Sequence, residues 1–167
     1  RLPFWLNRLA RGGDVPAPGP QDRPLQYVDA RDLGAWLVDA GQRGVCGAFN
    51  TVSQPGHTTI GDLLGAAPRI TGERANLVWL TPEQVETAAV DPWTEVPIWV
   101  PPTGDLAPLH DGDVSAAYAA GLRCRPMAET VADTWAWLED EGLPEPGRSG
   151  TGWDAEAEAR MLAAASG

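Results

Sequence analysis

The chain has 167 residues, 43% of them hydrophobic and 21% charged, proportions typical of one globular domain. Its net charge of −11, from 12 basic and 23 acidic residues, excludes nucleic acid and anionic membranes as partners, because both attract clustered positive charge. All 12 basic residues are arginines, which excludes Schiff-base and P-loop lysine chemistry. No apolar run approaches the roughly 20 residues that span a bilayer.

The two cysteines, Cys46 and Cys124, are too far apart for a CxxC motif and too few for a disulfide framework. We therefore expect them to be small buried residues of a cytoplasmic protein. The chain begins with Arg1, inside a predicted helix, which indicates a fragment.

The first third of the chain predicts a helix over residues 2–10, because its apolar residues recur on one face. Residues 14–24 are rich in proline and glycine and predict a turn or an edge-strand hairpin, not a buried strand. Residues 25–28 predict a short strand.

Asp29 is predicted to cap a helix over residues 30–42, and Asp32 lies in its first turn, where the helix dipole favours a carboxylate. Residues 47–52 alternate between apolar and polar side chains and predict a strand. The apolar stripe of the predicted helix consists of Leu33, Trp36, Leu37 and Ala40.

The middle of the chain predicts a helix that starts at a Thr58 cap and is bent or shortened at Pro68. A strand over 76–80 follows. Thr81, Pro82 and Gln84 then form a capping-box pattern, which predicts another helix start.

The last part of the chain predicts a rigid loop over residues 91–105, a short helix over 113–122 and a long helix over 127–142. These elements divide the chain into three parts, which are residues 1–141, a linker over 142–152 and a C-terminal helix over 153–167. We expect this helix to dock through Trp153, Met161 and Leu162. Short strands thus alternate with helices, which predicts an α/β fold too small for a full doubly wound sheet.

Hydrolytic chemistry lacks a candidate nucleophile, since His57 and His110 have no serine in a recognisable context. His110 with Asp111 and Asp113 is a weak ligand set, because Asp113 is the natural cap of the next helix. We therefore expect no metal site. No glycine-rich phosphate turn follows a predicted strand.

Tyr27 and Arg31 have a tyrosine–lysine spacing, but an arginine stays protonated and cannot relay a proton. Trp93 and Trp99 flank the proline-bearing loop, where a flat ligand could be held. The alternative, that both tryptophans cover the core, is the more common fate of large apolar side chains.

Four segments of the chain form a recognisable series: "RPLQYVDARDLGAWLV", "GAFNTVS", "DPWTEVPIWVP" and "DVSAAYAAGLRCRPMAETVADTWAWLEDEG". In this order they resemble the C-terminal part of extended short-chain dehydrogenases/reductases of the NAD-dependent epimerase/dehydratase type, including actinobacterial reductase-like proteins. The resemblance covers nearly the whole chain, and the order of the segments is more specific than any one of them.

The resemblance implies an N-terminal Rossmann segment, absent from this sequence, that carries the glycine-rich turn and a Tyr-x-x-x-Lys pair. It places Asp29 and Asp32 near the cofactor crevice. Nucleotide-sugar enzymes of the family bind the diphosphate through arginines, but Arg23 lies two residues early and His110 stands where another arginine is expected. A smaller carbonyl or alcohol substrate fits this sequence better.

The sequence thus predicts the substrate-binding part of a Rossmann-type NAD(P)-dependent oxidoreductase or epimerase that acts by hydride transfer. We expect NAD or NADP in the full-length protein, none bound by this chain alone, and no catalytic residue here. The alternative is a standalone non-catalytic module that binds a small ligand or a partner. The expected substrate-binding residues are Gln26, Asp29, Trp93, Trp99 and His110.

Overall fold

A computed structural model describes residues 1–72, 75–142 and 151–166, and it shows a mixed α/β fold. The helices are α1 (Leu2–Ala10), α2 (Ala30–Gln42), α3 (Ile60–Thr71), α4 (Pro82–Thr87), α5 (Ser115–Ala119), α6 (Met127–Glu141) and α7 (Ala155–Ala165), with a 3-10 turn over Ala107–His110. The strands are β1 (Gly13–Pro18), β2 (Pro24–Leu25), β3 (Thr58–Thr59) and β4 (Ala75–Leu80).

Strands β1 and β4 form a two-stranded parallel sheet, in register from Gly13 opposite Ala75 onwards. The expected edge strand is confirmed, since β1 has a single neighbour in this sheet, but the expectation of a hairpin that is not buried was wrong: the pairing with β4 is parallel and the last four residues of β1 are buried. The Gly19 N–H continues the ladder by donating to the Leu80 carbonyl over 2.8 Å. Pro16 and Pro18 have the opposite parity, so their missing N–H groups face the outer edge of the sheet.

Residues from most of the chain build the main core. Helices α1, α3 and α6 pack on one another, and α7 packs on both strands of the parallel sheet and on α4. Trp153 and Met161 are buried in this core and Leu162 is half-buried, so the predicted docking of the C-terminal helix is confirmed for the first two. The predicted linker over 142–152 lies mostly outside the described residues.

A second, smaller cluster holds α2 against α5. Trp36 and Ala40 are buried here with Ala117 and Leu122, and the Trp36 indole N–H donates to the Ala120 carbonyl. Leu37 was expected in the same stripe, but its side chain is 55% exposed. The expectation was wrong because Ala117 and Leu122 cover only the Trp36 and Ala40 side of the stripe.

Two predicted strands are shorter or absent. Residues 25–28 contribute only Leu25 to β2, which pairs with β3 over two residues. Residues 47–52 form no strand ladder with any other described residue. A strand needs a neighbour for its backbone groups, and alternation of side chains alone does not supply one.

Helix α3 differs from expectation at both ends. Its cap is Thr59, not Thr58, and Thr59 and Asp62 exchange side-chain and backbone hydrogen bonds as a capping box. The helix passes through Pro68 without being shortened and ends at Thr71, with Gly72 at φ +76° as its C-cap. Burial of Leu64 and Ala67 on the core face outweighs the one backbone hydrogen bond that Pro68 cannot donate.

Cys46 is exposed and Cys124 half-buried, so the expectation of two buried cysteines was wrong for Cys46. Across the described ranges, no helix is both long and apolar enough to cross a membrane.

Candidate functional site

Gln26 and His110 join the segment before α2 to the loop after residue 98. The Gln26 backbone N–H donates to His110 Nδ1 over 3.1 Å. His110 Nε2 lies 2.9 Å from the Ile98 carbonyl oxygen. Because Nδ1 accepts a hydrogen bond, Nε2 must carry the proton, and the ring is held as one neutral tautomer.

The Gln26 side chain is fully engaged by backbone groups. Its Nε2 donates to the carbonyls of Ser53 and Gly112 at 2.9 Å each, and its Oε1 accepts from the Gly112 N–H at 2.7 Å. Both Gln26 and His110 are buried. In this arrangement they hold two loops together rather than present free polar atoms to a ligand.

The two tryptophans of the proline-bearing loop have different surroundings. Trp99 is only 1% exposed and its indole N–H donates to the Gly19 carbonyl over 2.9 Å, so it lies in the core. Trp93 is half-buried, with the Arg1 guanidinium 4.3 Å from its ring centroid and the His110 ring 6.1 Å away. Trp93 and Ile98 both have positive φ, +68° and +74°, a strained conformation for side chains of this size.

Asp29 lies apart from the other predicted residues, in an ion-pair network between α2 and α6. It accepts from the Arg31 backbone N–H at 2.9 Å, from the Arg31 guanidinium at 2.7 Å and from the Thr130 hydroxyl at 2.9 Å. These hydrogen bonds, chiefly those of Arg31, hold the pKa of Asp29 well below its usual range, although burial opposes them. Asp29 is therefore an ionised cap and not a proton donor.

Arg125 completes this network from the segment before α6. Its backbone N–H, Nε and Nη2 donate to the Asp32 carboxylate over 2.8, 2.9 and 2.7 Å, and they lower the pKa of Asp32. Asp133 on α6 pairs with Arg31. No local pattern predicts that Arg125, Thr130 or Asp133 belongs to this network, because they lie about a hundred residues from their partners.

The side chains of Tyr27 and His57 both contact the backbone carbonyl of Arg125. The Tyr27 hydroxyl donates to the Arg125 carbonyl over 2.6 Å, and His57 Nε2 lies 3.0 Å from that carbonyl oxygen. Burial, aided by Cys124 and the carboxylates of Asp32 and Asp29, raises the pKa of Tyr27 above its ordinary value. Tyr27 therefore remains a neutral phenol and does not supply a proton.

A cleft of about 640 Å³ lies between α3 and the N-terminus of α6. None of the five predicted site residues lines it. Its polar walls are His57, Thr58, Asp62 and Arg69, and its apolar walls include Ala66 and Met127.

Two features of the part of the chain that the structure describes bear on cofactor binding: its metal-ligand groups and its helix N-termini. Within the ranges that the structure describes, no group of three or more His, Cys, Asp or Glu side chains is placed to hold a metal. Strand β4 leads directly to α4, whose N-terminus is already occupied by the Thr81–Gln84 capping box. A pyrophosphate would need those amide groups free, so the turn between β4 and α4 is not an open phosphate cradle.

No protein-family profile matches the chain, and neither does any curated protein or solved structure.

Proposed function

We propose that this chain is the substrate-binding part of an NAD(P)-dependent reductase or epimerase of the extended short-chain dehydrogenase/reductase type. A Rossmann-type segment would cover the face formed by α2 and residues 45–52. The order of the four resembling segments and the mixed α/β fold support the proposal.

The observation that carries it is the segment over residues 47–52, which forms no strand ladder with any other residue that the structure describes. Phe49 packs against Trp36 of α2 with ring centroids 5.4 Å apart, so the segment lies along this helix. Leu37 and Val38 of the same helix are 55% and 63% exposed. A sheet added here would pair with the unpaired backbone and cover apolar side chains that otherwise face water.

The proposed reaction of the complete enzyme is hydride transfer between a nicotinamide and the carbonyl carbon of a small substrate. The dinucleotide would be held by the Rossmann segment, since the turn between β4 and α4 is closed by the Thr81–Gln84 capping box. Trp93 is the predicted pocket residue best placed to contact a substrate, because it is half-buried while Gln26, Asp29, Trp99 and His110 are buried.

A standalone binding module is the second candidate. It is favoured by the internal hydrogen bonds of Gln26, His110 and Trp99, which leave these residues acting as supports of the chain's own loops. Such a module would need no added segment to be stable.

The first test is to read the DNA upstream of the Arg1 codon for an in-frame glycine-rich turn and Tyr-x-x-x-Lys. The encoded segment is then co-expressed with this chain, and co-purification and NAD(P)H oxidation with small carbonyl compounds are measured. We expect Val38→Asp to abolish co-purification, because a buried unpaired carboxylate is costly. Gln42→Asp, a change at an exposed residue of the same helix, is the matched control.

The proposal fails if no such segment is encoded, or if Val38→Asp and Gln42→Asp co-purify equally well with it. A chain that is monodisperse alone and does not bind a hydrophobic dye through Leu37 and Val38 would favour the standalone module.

A further inference from the structure

The parallel sheet of β1 and β4 is closed to further strands at the outer edge of β1. This edge carries Pro16 and Pro18, which have no N–H to donate. The Asp14 carbonyl on the same edge already accepts from the Arg8 guanidinium over 2.7 Å. The last four residues of the strand are also buried. A further strand therefore cannot build a regular ladder along β1.

The outer edge of β4 has the opposite character. Strand β1 donates to β4 only through its odd-numbered residues, and the Gly19 N–H continues this ladder to the Leu80 carbonyl. The even-numbered residues of β4 therefore face β1, while Ala75, Leu77 and Trp79 direct their N–H and C=O groups to the other side. From the residues that the structure describes, no hydrogen bond from outside the sheet reaches the backbone of Ala75, Leu77 or Trp79.

The side chains of β4 suit a partner of the same sequence. The strand reads ANLVWL and contains no charged residue, although the whole chain has a net charge of −11. Asn76 is exposed, and Leu77, Val78 and Trp79 are half-buried. Like charges on opposite strands destabilise a pair of strands, and β4 has none to set against its own copy.

We infer that β4 pairs with β4 of a second copy of this chain, about a two-fold axis perpendicular to the sheet. The axis makes the two strands antiparallel and places Leu77 opposite Leu77 of the copy, so that each N–H donates to the other's carbonyl. In this register Ala75 lies opposite Trp79 of the copy, which sets a small side chain beside a large one.

The prolines of β1 limit this association to two chains. The joined sheet runs from β1 through β4 to β4 and β1 of the copy, so both of its outer edges are the closed edges of β1. A sheet with two closed edges recruits no further strand. The inference does not rest on the proposed function, because β4 contributes no residue to the face of α2 and residues 45–52.

The test is sedimentation of the full chain over a range of concentrations, combined with amide hydrogen exchange resolved by NMR. We expect a monomer–dimer equilibrium that added salt strengthens, because salt screens the repulsion between two acidic chains. The Leu77 and Trp79 amides should exchange roughly tenfold more slowly, or slower still, in the dimer. The Val78 and Leu80 amides, which face β1, should be protected in both states.

A proline at the centre of the new ladder provides the matching variant. Leu77→Pro removes an outward N–H without removing a donor to β1, and it should weaken the dimer by roughly tenfold or more. Asp14→Pro is the matched control, since it places a proline on the closed edge of the same sheet and should leave the dimer unchanged. Circular dichroism reports whether each variant is folded.

Three results would overturn the inference. The first is a chain that stays monomeric up to about 1 mM. The second is a folded Leu77→Pro variant that dimerises as tightly as the unchanged chain. The third is exchange at Leu77 and Trp79 that does not depend on concentration. If the variant does not fold, exchange in the unchanged chain decides alone.

Discussion

Arg8 of α1 and Glu158 of α7 form a two-bond ion pair, with Nε to Oε2 at 2.7 Å and Nη2 to Oε1 at 2.9 Å. The Trp153 indole N–H donates to the same carboxylate over 2.8 Å. The pair is part-buried, so the C-terminal helix is held to the first helix by charge as well as by apolar contact.

We expect Glu158→Ala to lower the free energy of unfolding by about 2–3 kcal/mol, because it leaves a part-buried guanidinium without its anion. Urea unfolding followed by tryptophan fluorescence measures the change. Glu156→Ala is the control: it breaks an exposed pair with Arg160 and should cost less than about 0.5 kcal/mol. Equal losses in the two variants would contradict the structural role of Glu158.

The network between α2 and α6 predicts a loss of stability in acid. The Asp29 and Asp32 pKa values are lowered in the folded state, so their stabilisation is present above the unfolded value of about 3.9 and is lost as pH falls below it. We expect Asp32→Asn to cost about 2 kcal/mol at pH 7 and to flatten the decline in stability below pH ~5. Urea midpoints measured from pH 7 to pH 3 test this, and an unchanged acid slope in the variant would refute it.

His110 is predicted to be a structural residue of the loop that it supports. His110→Phe keeps a ring of similar size but leaves the Gln26 N–H and the Ile98 carbonyl unpaired, and it should cost about 2–3 kcal/mol. His57→Phe, at an exposed position, should cost about 1 kcal/mol or less. Thermal unfolding of both variants measures these losses. A larger loss for His57→Phe than for His110→Phe would show that His110 is dispensable to the fold.

Gly152 is required where the chain enters α7. Its φ is +100°, and a Cβ placed there would overlap the ring of Phe4. We expect Gly152→Ala to destabilise the protein by about 2 kcal/mol or more, from overlap and backbone strain together. Gly104→Ala is the matched control, because Gly104 has φ +86° but open space around it. Chemical denaturation measures the free energy of unfolding of both variants. If Gly152→Ala and Gly104→Ala lower it equally, backbone strain alone is responsible.

Local signals in the sequence predicted much of the fold. The Asp29 cap, the Thr81–Gln84 capping box and the helix over 127–141 follow from short-range patterns, and the structure confirms them. The prolines over 13–18 correctly indicated an edge strand, but its burial and its parallel pairing with β4 were missed, because the partner strand lies far along the chain and no local pattern identifies it. The strand over 47–52 was predicted from alternation, which carries no information on whether a neighbour exists.

The candidate sites were less predictable than the helices. Trp99 and His110 are chemically suited to binding a ligand, but their polar atoms contact backbone carbonyls instead. The carbonyl at Trp99 is 80 residues away in sequence, and the one at His110 is 12 residues away. The cleft between α3 and α6 joins His57 to Met127, and no pattern in the sequence pairs these residues. Long-range geometry decided both outcomes.

The prolines of β1 have a consequence for self-association. Each strand of a two-stranded sheet is an edge, and an exposed edge can recruit strands from other copies and start aggregation. Pro16 and Pro18 present no N–H donors on the outer side of β1, so a second chain cannot build a regular ladder there. Strand β4 contains no proline, so of the two edges of this sheet only the β4 edge keeps its full set of outward N–H donors.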